Sequence, residues 1–90
     1  MNAYVTTKDQ DKARIQWACR RGLLELDLLF KTFMRRGFDE LDAVQRADFE
    51  HMLQHGDQEL LGWMMGSASP TNRAFQDVIE RIRSAATAEH

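Results

Sequence analysis

LLELDLLFKTFMRRG, residues 23–37, decides the fold class. Leu23, Leu26, Phe30 and Phe33 recur at i, i+3, i+7 and i+10, and Leu29 and Met34 widen the stripe. That is the spacing of one helix face, not the alternation of a strand. Glu25 and Asp27 stand near its start and Arg35 and Arg36 at its end, where each sign of charge suits the helix macrodipole. A helix is predicted from about Leu23 to Arg36, ended by Gly37.

The same reading extends in both directions. Upstream, Thr7 and Gln10 have the spacing of a capping box. A first helix is therefore expected from near Thr7 to about Arg21, with Ala13, Trp17 and Ala18 inward. Gly22 then supplies a left-handed cap or a tight corner. Downstream, residues 38–41 form a connector. Asp42 and Gln45 make a second capping pair, opening a third helix that runs to about Gln54 and buries Phe49, Met52 and Leu53. His55-Gly56 breaks that helix, and Asp57 caps a short fourth one. Its Leu60, Leu61, Trp63 and Met64 are too apolar for a surface helix, and Gly66 closes it. Pro70 falls in the first turn of a fifth helix. Phe75, Val78, Ile79 and Ile82 mark that helix's buried face. After Arg83 the sequence turns to Ala, Thr and Glu and is expected to fray. The predicted fold is all-α: a compact single-domain bundle of about five short helices over residues 1–90, with an ordered core at about 8–84.

Ninety residues make one domain with a modest core. A single cysteine, Cys19, excludes an internal disulfide, and no zinc-type Cys/His spacing occurs. A reducing cytoplasm is the expected setting. No apolar run is long enough to span a bilayer, so no membrane insertion is expected. The net charge of −2 hides an asymmetry. Residues 8–36 carry eight Lys and Arg against four acids, whereas residues 39–65 carry Arg46 alone against seven acids. Two such ends orient a molecule on a partner, or serve as two solvated faces.

The candidate chemical groups argue against catalysis. His51 and His55 lie four apart, the spacing of two metal ligands, but a zinc site needs at least a third. A solvated pair is expected, and no metal. Arg20 and Arg21 would favour the Cys19 thiolate, yet a nucleophilic thiol wants a base beside it. A small core residue is the simpler reading. Met52, Trp63, Met64 and Met65 are read as core rather than as a cofactor pocket. An acidic chain without a dedicated reading helix is not expected to bind nucleic acid.

There remains Arg20-Arg21-Gly22-Leu23-Leu24-Glu25-Leu26-Asp27. As structure, it is a helix end, a glycine corner and a helix start, with Glu25 able to pair with Arg21. As function, an arginine fork at a glycine corner is suited to grip carboxylates or carbonyls of another protein. The residues alone leave both readings open.

The segment resembles the signature of the succinate dehydrogenase flavinylation factors, the small helical FAD assembly factors of bacteria and mitochondria. Their Arg-Gly-x-x-Glu (RGxxE) motif stands here as Arg21-Gly22-Leu23-Leu24-Glu25. The lead-in from Lys12 to Arg20 is similar to bacterial members, as are Asp27, the run Phe49 to Leu53 and the run Asp57 to Trp63. The similarity spans roughly residues 11 to 83. It implies an assembly factor, not an enzyme, that binds the flavoprotein subunit of succinate dehydrogenase or fumarate reductase and promotes covalent FAD attachment. The FAD then belongs to the client, and the factor has no cofactor of its own and is a monomer when free. The implied partner-binding residues are Arg14, Arg20, Arg21, Gly22, Glu25 and Asp27, with Arg21 and Glu25 both presented outward. An antitoxin-like partner of a small membrane protein is the alternative that the resemblance carries. A flavin carrier is a further one, against which the lack of a dinucleotide fingerprint stands.

Overall fold

A computed structural model describes residues 7–87, and these form five α-helices and one 3-10 turn. The helices are α1 (Thr7–Ala18), α2 (Leu24–Arg36), α3 (Ala43–Met52), α4 (Asp57–Met65) and α5 (Arg73–Thr87), with the 3-10 turn at Phe38–Glu40. No strand occurs among the described residues. The all-α bundle read from the sequence is the observed architecture.

The predicted stripe of α2 is the spine of the core. Leu26, Phe30, Phe33 and Met34 are buried, and Leu23 and Leu29 pack against them. Phe49 of α3 inserts among the α2 rings, edge-on to Phe30 at 6.1 Å and to Phe33 at 5.2 Å, with Phe38 at 6.4 Å. Such edge-to-face pairs add to what the buried area contributes. α5 lays Phe75, Val78, Ile79 and Ile82 against α2 and α3. The capping box at the start of α3 forms as expected: Asp42 Oδ1 accepts from the Gln45 N–H at 2.8 Å, and Gln45 Oε1 from the Asp42 N–H at 2.9 Å.

Several local expectations are corrected. α1 buries Ile15, and Cys19 just past its end is buried too; Ala13 is exposed, Trp17 is 71% exposed and Ala18 is half-buried. Among the described elements α1 packs mainly on α3, so only a narrow stripe is covered. Ion pairs hold the rest: Arg14 to Glu50 at 2.5 Å, and Arg46 to Asp11 at 3.4 Å. α1 also ends at Ala18, so Arg20 and Arg21 lie beyond its last turn. Thr7 stands within the helix rather than ahead of it. Gly56, not Asp57, is the N-cap of α4, which frees the Asp57 carboxylate for other work. Pro70 precedes α5 instead of opening it. Asn72 caps that helix, its Oδ1 accepting from the Ala74 N–H at 2.8 Å. α5 continues past Arg83 to Thr87. Met65 is exposed while Met52, Trp63 and Met64 are core.

Candidate functional site

The Arg-Gly corner is the five-residue link between α1 and α2. Its backbone is pinned by two carboxylates from outside the link. Asp27, one turn into α2, reaches back so that Oδ1 accepts from the Arg21 N–H at 3.2 Å. Asp57 Oδ2 accepts more weakly from the Leu23 N–H at 3.4 Å. Leu23, the N-cap of α2, has no side chain able to cap, and the two acids hold the N–H groups of the link rather than those of the helix's first turn.

Arg21 points inward. Its guanidinium crosses to the turn between α3 and α4, where Nη2 donates to the Leu53 carbonyl and Nη1 to the His55 carbonyl at 3.3 Å. Nη1 also pairs with Asp57 Oδ1 at 3.1 Å. The side chain is only 13% exposed. A cation against the last carbonyls of α3, and a carboxylate in the first turn of α4, each sit where the helix macrodipole favours them. The Arg21 Nε is buried and unpartnered, so the fork acts through its two terminal nitrogens. Both expectations for Arg21, an outward side chain and a pair with Glu25, are thus corrected: it points inward and its carboxylate partner is Asp57.

Glu25 is exposed and makes no hydrogen bond or ion pair among the described residues. Arg20 is exposed too, and its guanidinium lies 4.8 Å from the centroid of the Trp17 ring. Gly22 is exposed, and its φ is not positive; among the described glycines only Gly66 is left-handed, at φ 81°. A Cβ on Gly22 would meet Asp57 Oδ2 at 3.8 Å, an ordinary contact. Nothing within the chain therefore demands glycine at 22. Asp27 also pairs with Lys31 at 3.0 Å. The lysine first, then the Arg21 N–H, hold its carboxyl below the usual carboxylate range. Arg14 stands apart from the corner. It grips Glu50 and Asp11, which raises its own already high pKa and lowers that of Glu50.

The remaining candidates resolve as structure. Cys19 is buried, and burial pushes its thiol up to about 12 despite the opposing Arg21 charge. A thiol that holds its proton at neutral pH is a poor nucleophile. His55 is not half of a solvated pair. Its ring lies 5.0 Å from that of Trp63 and 5.7 Å from that of Phe75, and Nδ1 meets Glu59 at 2.9 Å. His51 is exposed. Among the described residues no group of three or more His, Cys, Asp or Glu could hold a metal ion, and no helix is long and apolar enough to cross a membrane. Sequence reasoning missed Asp57 as the clamp of the corner. The available signal was Gly56, which can cap a helix by itself and leave the next aspartate unemployed.

Fold and site define a small all-helical protein organised around one clamped corner, with an acid and an arginine on its open side. Residues 13–86 match the family model described as the flavinator of succinate dehydrogenase. The FAD assembly factor SdhE of Idiomarina loihiensis is 47% identical over 75 residues, which cover 83% of each chain. That of Vibrio vulnificus is 38% identical over 73 residues, covering 81% of this chain and 85% of its own. The solution structure of a UPF0350 protein superposes with a TM-score of 0.74 at 35% identity, covering 89% of this chain and 85% of that one. The chain belongs to the succinate dehydrogenase flavinator family.

Proposed function

We propose that this protein binds the flavoprotein subunit of succinate dehydrogenase, and that of fumarate reductase as a second client, and promotes covalent attachment of FAD to a histidine there. It does so in the cytoplasm, as a monomer when free, without making the bond itself. The observation that carries the reading is the family match over residues 13–86, with relatives that are named FAD assembly factors.

The corner supports a division of labour among the candidate residues. Gly22, Arg20 and Glu25 face outward and meet the client. Arg21 and Asp27 hold the corner's backbone in shape. Arg14 fixes α1 on α3 and so sets the direction from which the corner is approached. Because a Cβ at Gly22 clashes with nothing internal, the need for glycine arises at the docked surface, where a side chain would push the two proteins apart. Docked in this way, the factor holds the client where the flavin ring faces its histidine. The gain is in positioning and population rather than in acid–base chemistry.

The test is the fluorescence of covalently bound flavin on the client subunit in a denaturing gel, from cells with and without this protein. Its presence should raise the signal strongly, and Glu25→Ala should lower it without altering the melting temperature. Equal fluorescence without the protein would overturn the reading.

A further inference from the structure

Gly22 stands over a carboxylate. The atom nearest to the place where its side chain would begin is Asp57 Oδ2, at 3.8 Å. Apart from its chain neighbours, no other heavy atom of the described residues lies within 4 Å of that place. Gly22 is exposed, and the Asp57 side chain is 28% exposed although Arg21 holds it. The missing side chain leaves a notch in the corner, with Oδ2 at its floor.

The two oxygens of that carboxylate are unequally used. Oδ1 takes the Arg21 Nη1 at 3.1 Å, which is the whole of the ion pair. Among the described residues Oδ2 accepts only from the Leu23 N–H, at 3.4 Å. That is longer than the roughly 2.7–3.2 Å of a good N–H···O bond. Each oxygen of an ionised carboxylate has about two acceptor sites, so Oδ2 has capacity left over. Bracing Arg21 does not need it.

We infer that Asp57 Oδ2 is a client-binding acceptor, reached through the Gly22 notch by a main-chain N–H of an extended client segment. Glycine admits backbone at close range, where a side chain at 22 would hold it off. The donor is neutral rather than cationic, because Arg21 already balances the Asp57 charge and a second cation would have to shed its water for little return. The inference rests on the proposed function and deepens it. Glycine at 22 does more than keep the surfaces from being pushed apart: it leaves an acceptor uncovered.

Asp57→Asn separates this contact from the bracing of Arg21. The amide has one oxygen, and Arg21, which offers only donors, takes it. The amide N–H groups then face the notch, donor against donor. Affinity is measured by calorimetric titration of the purified flavoprotein subunit, at a temperature where melting curves show every variant folded. Asp57→Asn should weaken binding about tenfold, and by the same factor at low and high salt. Gly22→Ala should weaken binding severalfold in the unaltered background but less than about twofold in Asp57→Asn, where no acceptor remains to be covered. A role confined to stability would move the melting temperature and leave the affinity of the folded chain unchanged. Three results overturn the inference: unchanged affinity in Asp57→Asn, a loss that shrinks as salt rises, as a cationic donor would give, or losses that multiply in the double variant, as a steric wedge at 22 would give. In each the unaltered chain still binds the subunit, so the proposed function stands. If the unaltered chain does not bind the subunit, the proposed function falls and the contact falls with it. The notch is also testable without the client. Carbodiimide coupling of glycine ethyl ester, read by mass spectrometry, should label Asp57 in the unaltered chain and label it less in Gly22→Leu. Equal labelling of Asp57 in the two chains would overturn the inference whatever the client does.

Discussion

Arg21→Ala removes the strut between the corner and the α3–α4 turn, and its cost follows from the geometry. The guanidinium donates to two carbonyls and one carboxylate. A net contribution of about 1 kcal/mol for each carbonyl bond and about 2 kcal/mol for the charged one gives a gross of about 4 kcal/mol. Fixing the long side chain costs about 2 kcal/mol of rotamer entropy, which the alanine variant recovers. Against that, the variant leaves the half-buried Asp57 without its cation and opens a gap where the stem packed. The expected loss is about 2–3 kcal/mol, or roughly 10–20 °C in melting temperature for a domain of this size. Chemical denaturation followed by circular dichroism measures it. Asp57→Ala should cost less, about 1–2 kcal/mol, because Arg21 keeps both carbonyls. The double variant should then show a coupling of about 1 kcal/mol. If Arg21→Ala loses under about 0.5 kcal/mol, in the range of an unremarkable surface site, Arg21 is no strut and the inward reading fails.

Three further outcomes follow from the same contacts. Gly22→Ala should leave stability within about 0.5 kcal/mol, and Gly22→Arg should remain helical by circular dichroism while losing client binding in a pull-down. Gly37→Ala should behave oppositely. Its Cβ would lie 2.7 Å from Cε1 of Phe33, a ring only 1% exposed, so overpacking should cost about 1–3 kcal/mol in denaturant titration. Asp27 and Glu50 have folded pKa values lowered by Lys31 and Arg14 respectively, so their contribution is complete above the ordinary carboxylate range and is lost as pH falls through the lowered values. Melting temperature should be insensitive to these two groups from neutrality to about pH 5 and fall below about pH 4, and Asp27→Asn should make that fall shallower.

What the sequence made legible is what repeats locally. The α2 stripe from Leu26 to Met34, the Asp42–Gln45 box and the α5 face were readable because a helix places i, i+3 and i+4 together whatever surrounds it. α1 was misread because hydrophobicity was taken for burial. Trp17 is the largest apolar residue there, yet Ile15 and Cys19 are buried and Trp17 faces water. Arg21 and Asp57 lie 36 positions apart, and their pairing is set by how α3 turns into α4. No spacing rule reaches that far. The two glycines were separable only by backbone angle: Gly66 closes α4 in the left-handed region, whereas Gly22 does not.

The internal geometry also explains why an arginine, a glycine and a glutamate would travel together in one short motif. Arg21 points into the protein and Glu25 out of it, so the two never compete for each other. Between them the chain must leave the strut, pass Leu23 and start α2 within a single turn, which brings Glu25 to the open side at a position that Arg21 has fixed. Loosen the strut and Glu25 keeps its charge but loses its address. Remove Glu25 and the strut still holds, with nothing to present. Arg21 and Glu25 variants should therefore part company: the first lowers stability and client binding together, the second lowers client binding alone. A motif that served only as a helix corner would show the first pattern at both positions, and one that served only as a surface patch would show the second at both.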